Sequence, residues 1–274
     1  YADKGEKYKD LIKKTWDNVD YITSYSSLFN ELMNKCISAD LSKYIITGAQ
    51  RNDLLYCTDG RKNIEYLFEE DFNSKKFIFY IPTYRYTPRG DRHEGNRSWG
   101  NIFGFEGFDT NGFIEFLEKN NFMLFVKLHP AEENKFLNKI PRNKNVRMIT
   151  NELLSKKGID LYEVLNSANI LITDYSSVYF DTLLLDIPII FTPIDLDEYK
   201  KDRGMLLEPY EHWTPGPKCI TQESLQREIN EILLHPNSYR EERKEILNKT
   251  HKYFNCNSCA RTWDFIDEIL EEVK

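Results

Sequence analysis

Residues 169–193 read NILITDYSSVYFDTLLLDIPIIFTP, and this stretch decides the fold class. The runs ILIT and IPIIF are short and rich in β-branched residues, so both are predicted to be buried strands. The segment SSVYFDTLLLD between them has the spacing of a helix. A strand, a helix and another strand in this order predict a right-handed crossover and a parallel sheet.

The same alternation runs through the chain from Phe77 onward. Further strands are predicted at KFIFYIPTYR, FMLFVKLHP and NVRMIT, and further helices at FDTNGFIEFLEKNN, AEENKFLNKI and IDLYEVLNSA. Asp109 and Asp160 are in position to cap two of these helices. We therefore predict an α/β fold with a Rossmann-like parallel sheet and helices on both of its faces.

The two ends of the chain differ from this central part. Residues 1–70 contain a strand, a turn and a helix, then a strand that runs into a polar turn, which is too little for a complete domain. Three charged amphipathic helices follow from Gln222 onward. We predict that 1–70 is the remnant of an N-terminal α/β domain, with packing onto the following sheet as the alternative, and that 71–255 is a Rossmann-like domain. We predict that 256–274 is a helix that packs back toward the N-terminal part.

The composition excludes several classes of protein. The 274 residues are 41% apolar and 30% charged, as in a globular protein, and the net charge of −7 disfavours binding to nucleic acid. No apolar run approaches the roughly 20 residues of a membrane span, and the N-terminus does not resemble a signal peptide. Five scattered cysteines make no disulfide framework, and the lone C-x-x-C at Cys256 and Cys259 is read as incidental. A reduced, cytoplasmic protein is expected.

The motif TDYSS follows the predicted strand ILIT directly. Ligands of open parallel sheets bind beyond the carboxyl ends of the strands, so Asp174, Ser176 and Ser177 lie where a ligand is expected. The first free backbone N–H groups of the next helix, at 176–179, would make an anion site that small serines leave accessible. The alternative is that a serine only caps the helix and that Tyr175 only packs.

The motif VKLHP ends another predicted strand, which brings Lys127 and His129 to the same edge of the sheet. A histidine titrates near neutral pH, so His129 could donate to a phosphate or move a proton. A purely structural histidine before a proline is the alternative.

The third candidate segment is DLDEYKKDRGMLLEPYEHWTPGPKCITQESL. The Arg203 guanidinium could clamp a diphosphate, and Gly216 lies in a rigid Pro-Gly-Pro turn before a helix that carries Glu223 in its first turn. A carboxylate there could hold the hydroxyls of a ribose. A tight loop and a capping residue are the alternative. Taken together, the three segments predict a pocket for a nucleotide diphosphate.

At these residues the sequence resembles the CDP-glycerol glycerophosphotransferases that build teichoic acids and related capsule polymers. The resemblance runs in order through GAQRNDLL, FYIPTYR, VKLHP, TDYSSVYFDTLLLDIPIIF, DLDEYKKDRG, PGP and YFNCNSCAR. Gln50 replaces a proline that is usual in the first of these motifs.

The resemblance implies a GT-B architecture, in which two facing Rossmann-like domains enclose the site, and a CDP-glycerol or CDP-ribitol donor held without a metal or other cofactor. It implies that His129 and Arg203 are catalytic and hold the diphosphate with Ser176 and Ser177. The other donor-binding residues that it implies are Thr83 and Arg85, facing the cleft, Lys127 and Asp174, and, near the nucleotide, Gly216 and Glu223.

One departure concerns the acceptor side. The family carries an upstream Trp-His-Gly-x-Pro-Leu-Lys stretch whose histidine acts as a base, and nothing like it occurs here. We expect either a part of a longer protein or a member with a remodelled acceptor domain, in which donor binding persists while activity is in doubt. His93 is a candidate substitute base, in a loop whose Arg85, Arg89, Arg92 and Arg97 either meet an anionic polymer or are simply solvated.

The expected activity is transfer of a polyol phosphate, most readily glycerol phosphate, from a CDP-polyol to a hydroxyl of a growing surface polymer, with release of CMP. Such acceptors are often lipid-linked, so peripheral association with the inner face of the membrane is a further expectation. Two alternatives are a nucleotide-sugar glycosyltransferase of the same architecture and a non-catalytic nucleotide-binding domain.

Overall fold

The computed structural model describes residues 6–85, 100–136, 139–141 and 143–272. The strands are β1 Ile22–Ser24, β2 Tyr44–Ile46, β3 Lys76–Tyr80, β4 Phe122–Val126, β5 Val146–Met148, β6 Ile170–Thr173 and β7 Ile189–Phe191. The α-helices are α1 Glu6–Asp17, α2 Ser27–Ile37, α3 Leu54–Cys57, α4 Gly60–Phe68, α5 Thr110–Lys119, α6 Pro130–Phe136, α7 Asn151–Lys157, α8 Tyr162–Leu165, α9 Val178–Thr182, α10 Leu196–Arg203, α11 Tyr210–Trp213, α12 Gln222–Leu234, α13 Arg240–Thr250 and α14 Ser258–Glu272. Short 3-10 helices cover Leu41–Lys43, Gln50–Asp53 and Leu183–Leu185.

The chain divides into two compact units. One unit combines the chain up to Cys57 with the chain from Glu245, and the other is Thr58–Lys244. The sequence placed the first boundary at residue 70, but α4 packs on α8 within the second unit. Ile64 and Leu67 of α4 are fully buried, so this helix contributes to the core of the second unit.

The second unit contains a five-stranded sheet in the order β5-β4-β3-β6-β7, and every neighbouring pair is parallel. The strands are buried almost throughout, as expected when helices cover both faces. The predicted α/β fold and all five predicted strands of this sheet are confirmed. Helix α7, which has Thr150 as its N-cap, was not predicted from the sequence.

Both faces of the sheet carry a hydrophobic core. On one face, Ile78 of β3 and Leu124 of β4 pack with Phe113 of α5 and Leu225 of α12. On the other face, aromatic rings pack edge-to-face around Phe125, with Phe72 and Phe77 at centroid distances of 5.4 and 5.0 Å. Helices and loops therefore cover both faces of the sheet with apolar side chains.

The first unit has a two-stranded parallel sheet of β1 and β2. The carboxylate of Asp53 accepts hydrogen bonds from the N–H groups of Ser258 and Cys259, at 2.9 and 2.8 Å, and so caps α14. Arg261 of α14 donates to the carbonyl oxygen of Thr47 at 2.8 Å. The motifs GAQRND and NCNSCAR are therefore joined to each other in this unit. In the part of the chain that the structure describes, no helix is both long and apolar enough to cross a bilayer.

Candidate functional site

A cavity of about 850 Å³ lies at the carboxyl ends of β3, β4 and β6. Strands β4 and β5 lie on one side of β3, and β6 and β7 lie on the other side. The strand order therefore reverses between β3 and β6, and sheets of this kind bind ligands at such a topological switch point. The lining includes 81–84 after β3, 127–130 after β4 and 175–178 after β6. Residues of α7, α8 and α10 contribute further walls.

Adjacent backbone N–H groups line the cavity after β6. Within the described part of the chain, the N–H groups of Ser176, Ser177 and Val178 have no hydrogen-bond partner. The N–H of Tyr179, predicted as a fourth donor, instead donates to the carbonyl oxygen of Ser176 at 3.4 Å. The segment can therefore offer three amide donors to an anion.

His129 is exposed at the cavity after β4. Its Nδ1 accepts a hydrogen bond from the N–H of Ala131 at 3.2 Å, so the proton of the neutral ring is on Nε2. The ring stacks on Tyr84, with centroids 4.2 Å apart and planes inclined by 26°. These contacts orient the imidazole at the edge of the sheet and outside the apolar core.

Lys127 also lines the cavity, but its ammonium group is paired. Its Nζ donates to Glu133 Oε1 at 2.6 Å and to the carbonyl oxygen of Leu128 at 2.7 Å. Glu133 in turn accepts from the N–H of Asn151 at the start of α7. Lys127 therefore ties this edge of the sheet to the wall formed by α6 and α7.

Arg85, Asp174 and Asp195 form a buried ionic cluster at the switch point, each at most 6% exposed. Arg85 donates from Nη2 to Asp174 at 2.7 Å and from Nε to Asp195 at 2.8 Å. Burial opposes the charge of the guanidinium, but the two carboxylates outweigh this and raise the pKa of Arg85 above its ordinary value. The cluster connects the segments that follow β3, β6 and β7.

The cluster also holds the backbone of Thr83, a residue that lines the cavity. Asp174 Oδ1 accepts from the N–H of Thr83 at 2.7 Å, and Arg85 Nη1 donates to the carbonyl oxygen of Thr83 at 2.7 Å. Thr83 lines the cavity, and its buried Oγ1 has no hydrogen-bond partner in the described residues. Burial and the nearby carboxylates raise the pKa of Tyr175, whose hydroxyl donates to Asp195 at 3.0 Å.

Gly216 and Glu223, two of the predicted site residues, are not among the residues that line this cavity. Gly216 packs against β7, where a Cβ would come within 2.0 Å of the carbonyl oxygen of Ile189. Glu223 is exposed in the first turn of α12, and the capping box of that helix is made by Thr221 and Ser224. Their predicted roles near the nucleotide have no support from this geometry.

The remaining predictions fall into two groups. The structure brings six of the predicted residues together around the cavity: Thr83, Lys127, His129, Ser176, Ser177 and Arg203. Arg85 and Asp174 are buried in the ionic cluster and are not among the lining residues, so we assign them a positioning role in place of the predicted contact with the donor. His93 and the arginines at 89, 92 and 97 lie outside the described residues.

Sequence reasoning missed Asp195 and Tyr199. Asp195 directly precedes α10 and could have been read as a helix cap, but its partner Arg85 is 110 residues away in the sequence. Tyr199 stacks on Tyr175, with centroids 4.1 Å apart. The helical spacing of Tyr199 and Arg203 was the available signal.

Known proteins are similar to this chain over most of its length. The family profile of CDP-Glycerol:Poly(glycerophosphate) glycerophosphotransferase matches residues 2–268. The chain is 29% identical over 259 residues to the teichoic acid glycerol-phosphate primase of Bacillus subtilis (strain 168), a match that covers 94% of this chain and 60% of the primase. It is 28% identical over 173 residues to the teichoic acid ribitol-phosphate polymerase TarL of Staphylococcus aureus, covering 62% of this chain and 28% of TarL.

The fold is also similar to that of a solved structure. The wall teichoic acid polymerase TagF superposes with a TM-score of 0.72 at 23% identity, covering 97% of this chain and 62% of that chain. The chain thus spans about three fifths of the length of the primase and of the solved polymerase chain.

Proposed function

The chain belongs to the CDP-glycerol:poly(glycerophosphate) glycerophosphotransferase family, and from this premise we propose that it binds a CDP-activated polyol and transfers the polyol phosphate to a hydroxyl group of a wall polymer. CMP is the leaving group. We propose glycerol phosphate as the transferred group, because the family description and the name of the matching primase both specify it.

The observation that carries this proposal is the convergence of different phosphate donors on one cavity. Residues 176–178, which carry free backbone amides, His129 and Arg203 all line it, although they come from three separate segments of the chain. Amides and a guanidinium are typical ligands of a diphosphate, and serine side chains leave room for its oxygens.

Another part of the lining suits the nucleoside part of the donor. It includes Leu154, Ile159, Leu161 and Tyr162, which offer apolar and aromatic surface to a base and a ribose. The volume of about 850 Å³ lies in the range of small-molecule sites and exceeds what a diphosphate alone would fill. We therefore place the cytidine against α7 and α8.

In the proposed reaction an acceptor hydroxyl oxygen attacks the β-phosphorus, and the bond from this phosphorus to the oxygen of CMP breaks. A new phosphodiester forms, and negative charge grows on the departing CMP, so donors already in place stabilise the transition state. His129, with its proton on Nε2, and Arg203 are the residues that we propose for this role. The proton of the acceptor hydroxyl passes to a base that we do not assign to a described residue.

The acceptor completes the proposal. A hydroxyl-bearing teichoic acid polymer is the acceptor that the relatives' names suggest. We propose that the reaction takes place in the cytoplasm, with peripheral contact to the inner face of the membrane wherever the acceptor is lipid-linked. No metal is invoked, since the donors above are proposed to meet the charge of the diphosphate.

Titration calorimetry with CDP-glycerol, CDP-ribitol and a UDP-sugar tests the donor class. We expect CDP-glycerol to bind most tightly and the UDP-sugar most weakly. Binding of the UDP-sugar without binding of CDP-glycerol would replace the proposal with nucleotide-sugar transfer. Release of CMP is then measured with a poly(glycerol phosphate) acceptor, and donor binding without any CMP release would reduce the proposed function to nucleotide binding.

A further inference from the structure

Three consecutive residues before and at the start of α8, Asp160, Leu161 and Tyr162, line the cavity. The Oδ1 atom of Asp160 accepts a hydrogen bond from the N–H of Tyr162 at 2.8 Å, which closes an Asx turn and holds the carboxylate in place. Among the residues that the structure describes, Asp160 Oδ2 and the N–H of Leu161 take part in no hydrogen bond. The segment therefore has one acceptor and, on the next residue, one donor to offer to a ligand.

Tyr162 brings an anchored ring to the same part of the lining. Its hydroxyl donates to Asp181 Oδ2 at 2.5 Å, and Asp181 is 1% exposed in α9, the helix that starts at Val178. The backbone of Tyr162 is thus held by Asp160, and the end of its side chain is held by α9. An aromatic side chain held at both ends is a ready stacking surface for a base.

The pairing edges of cytosine and uracil differ at two neighbouring positions. Cytosine has an amino donor at N4 and an acceptor at N3, whereas uracil has an acceptor at O4 and an N–H donor at N3. A carboxylate next to a backbone N–H is complementary to cytosine at both positions. With uracil, the same two groups would set acceptor against acceptor and donor against donor.

From this pattern we infer that Asp160 selects cytosine over uracil in the donor nucleotide. Its carboxylate accepts from N4, the N–H of Leu161 donates to N3, and the ring of Tyr162 packs on the face of the base. The inference rests on the proposed function, because it requires a nucleoside diphosphate in the cavity. It gives a reason for cytidine that the phosphate donors cannot supply, since CDP and UDP carry the same diphosphate.

Titration calorimetry with CDP and UDP measures this selectivity, because the two ligands differ only in the base. Wild type should bind CDP at least about tenfold more tightly than UDP. Asp160→Asn keeps an oxygen for the N–H of Tyr162 but presents an amide N–H₂ group in place of the second oxygen. It should weaken CDP binding about tenfold and leave UDP binding equal or tighter, and the retained UDP binding shows that the site is folded.

Tyr162→Ala tests the stacking surface separately. Stacking tolerates any base, and the backbone N–H that holds Asp160 remains, so CDP and UDP should both bind about tenfold more weakly with an unchanged preference. Unchanged affinities of this variant would overturn the placement of the base on Tyr162. Glu152→Gln is the control matched to Asp160→Asn, since Glu152 is an exposed carboxylate of α7 that does not line the cavity.

The remaining outcomes separate this inference from the proposed function. An Asp160→Asn variant that keeps the wild-type preference for CDP would overturn the inference and leave the proposed function intact. Equal affinities of wild type for CDP and UDP would overturn the inference as well. A wild-type chain that binds neither nucleotide would overturn the proposed function and the inference together.

Discussion

Two arginines lie at the switch point in opposite environments. Arg85 is 5% exposed and is paired with two carboxylates, whereas Arg203 is exposed at the end of a helix that has no buried residue. The family resemblance predicted that Arg203 holds the diphosphate and that Arg85 faces the cleft as a donor-binding residue. The difference shows that the site has two parts. A buried ionic cluster connects the segments that follow β3, β6 and β7, and a separate set of hydrogen-bond donors lies at the cavity. Substitutions in the ionic cluster should lower the stability of the fold, whereas substitutions among the donors should lower turnover or CDP binding.

The largest effect is expected from a donor at the cavity. His129→Ala should lower kcat by about 10²–10⁴, because a group that donates a proton or a charge-assisted hydrogen bond in the transition state is lost. CDP binding should weaken far less. Turnover is followed as CMP release from CDP-glycerol, with His235→Ala, an exposed histidine at the end of α12, as the control. Near-normal turnover of His129→Ala would remove His129 from the reaction.

The buried ionic cluster should instead govern stability. Arg85→Ala leaves Asp174 and Asp195 buried without their cation, a change that typically costs about 3–5 kcal/mol in free energy of unfolding. Urea denaturation measures this cost, and Arg85→Lys, which keeps the charge but not the paired geometry, should fall between Arg85→Ala and wild type. If Arg85→Ala were as stable as wild type and failed only to bind CDP, the distinction between the two arginines would be lost.

Arg203→Ala should give the opposite pattern. Loss of a charge-assisted contact to phosphate is worth about 1.5–3 kcal/mol, which corresponds to roughly 10- to 150-fold weaker CDP binding. The free energy of unfolding should stay within about 0.5 kcal/mol of wild type, since the side chain is exposed. A loss of stability similar to that of Arg85→Ala would show that α10 is part of the folded core.

The sequence predicted those features that depend on local pattern. The strands of the sheet follow from short β-branched and aromatic runs, and the N-cap at Asp109 is present, with its carboxylate accepting from the N–H of Gly112 at 3.0 Å. Because parallel strands end at one edge, the presence of His129 and Ser176 in the lining of one cavity could also be predicted. The ion pair of Arg85 with Asp195 could not, since no local rule relates residues 110 positions apart.

The family resemblance assigned Gly216 to the nucleotide, but the structure shows that the glycine packs closely against the backbone of β7. Gly216→Ala should destabilise the fold by about 1–3 kcal/mol, because the new Cβ would clash with the backbone oxygen of Ile189 in β7. Gly100→Ala is the matched control, since a Cβ at Gly100 meets no atom within 4 Å. A stable Gly216→Ala variant that binds CDP poorly would restore the assignment to the nucleotide.

The smallest effect is expected at Glu223. Its side chain is exposed at the start of α12, where a carboxylate interacts favourably with the helix dipole, so Glu223→Gln should lower the free energy of unfolding by at most about 0.5 kcal/mol. CDP affinity should be unchanged, because Glu223 does not line the cavity. Calorimetry with CDP and cytidine measures this. Tenfold weaker binding of both ligands would mean that the ribose reaches α12, and the donor site would then extend beyond the cavity at the switch point.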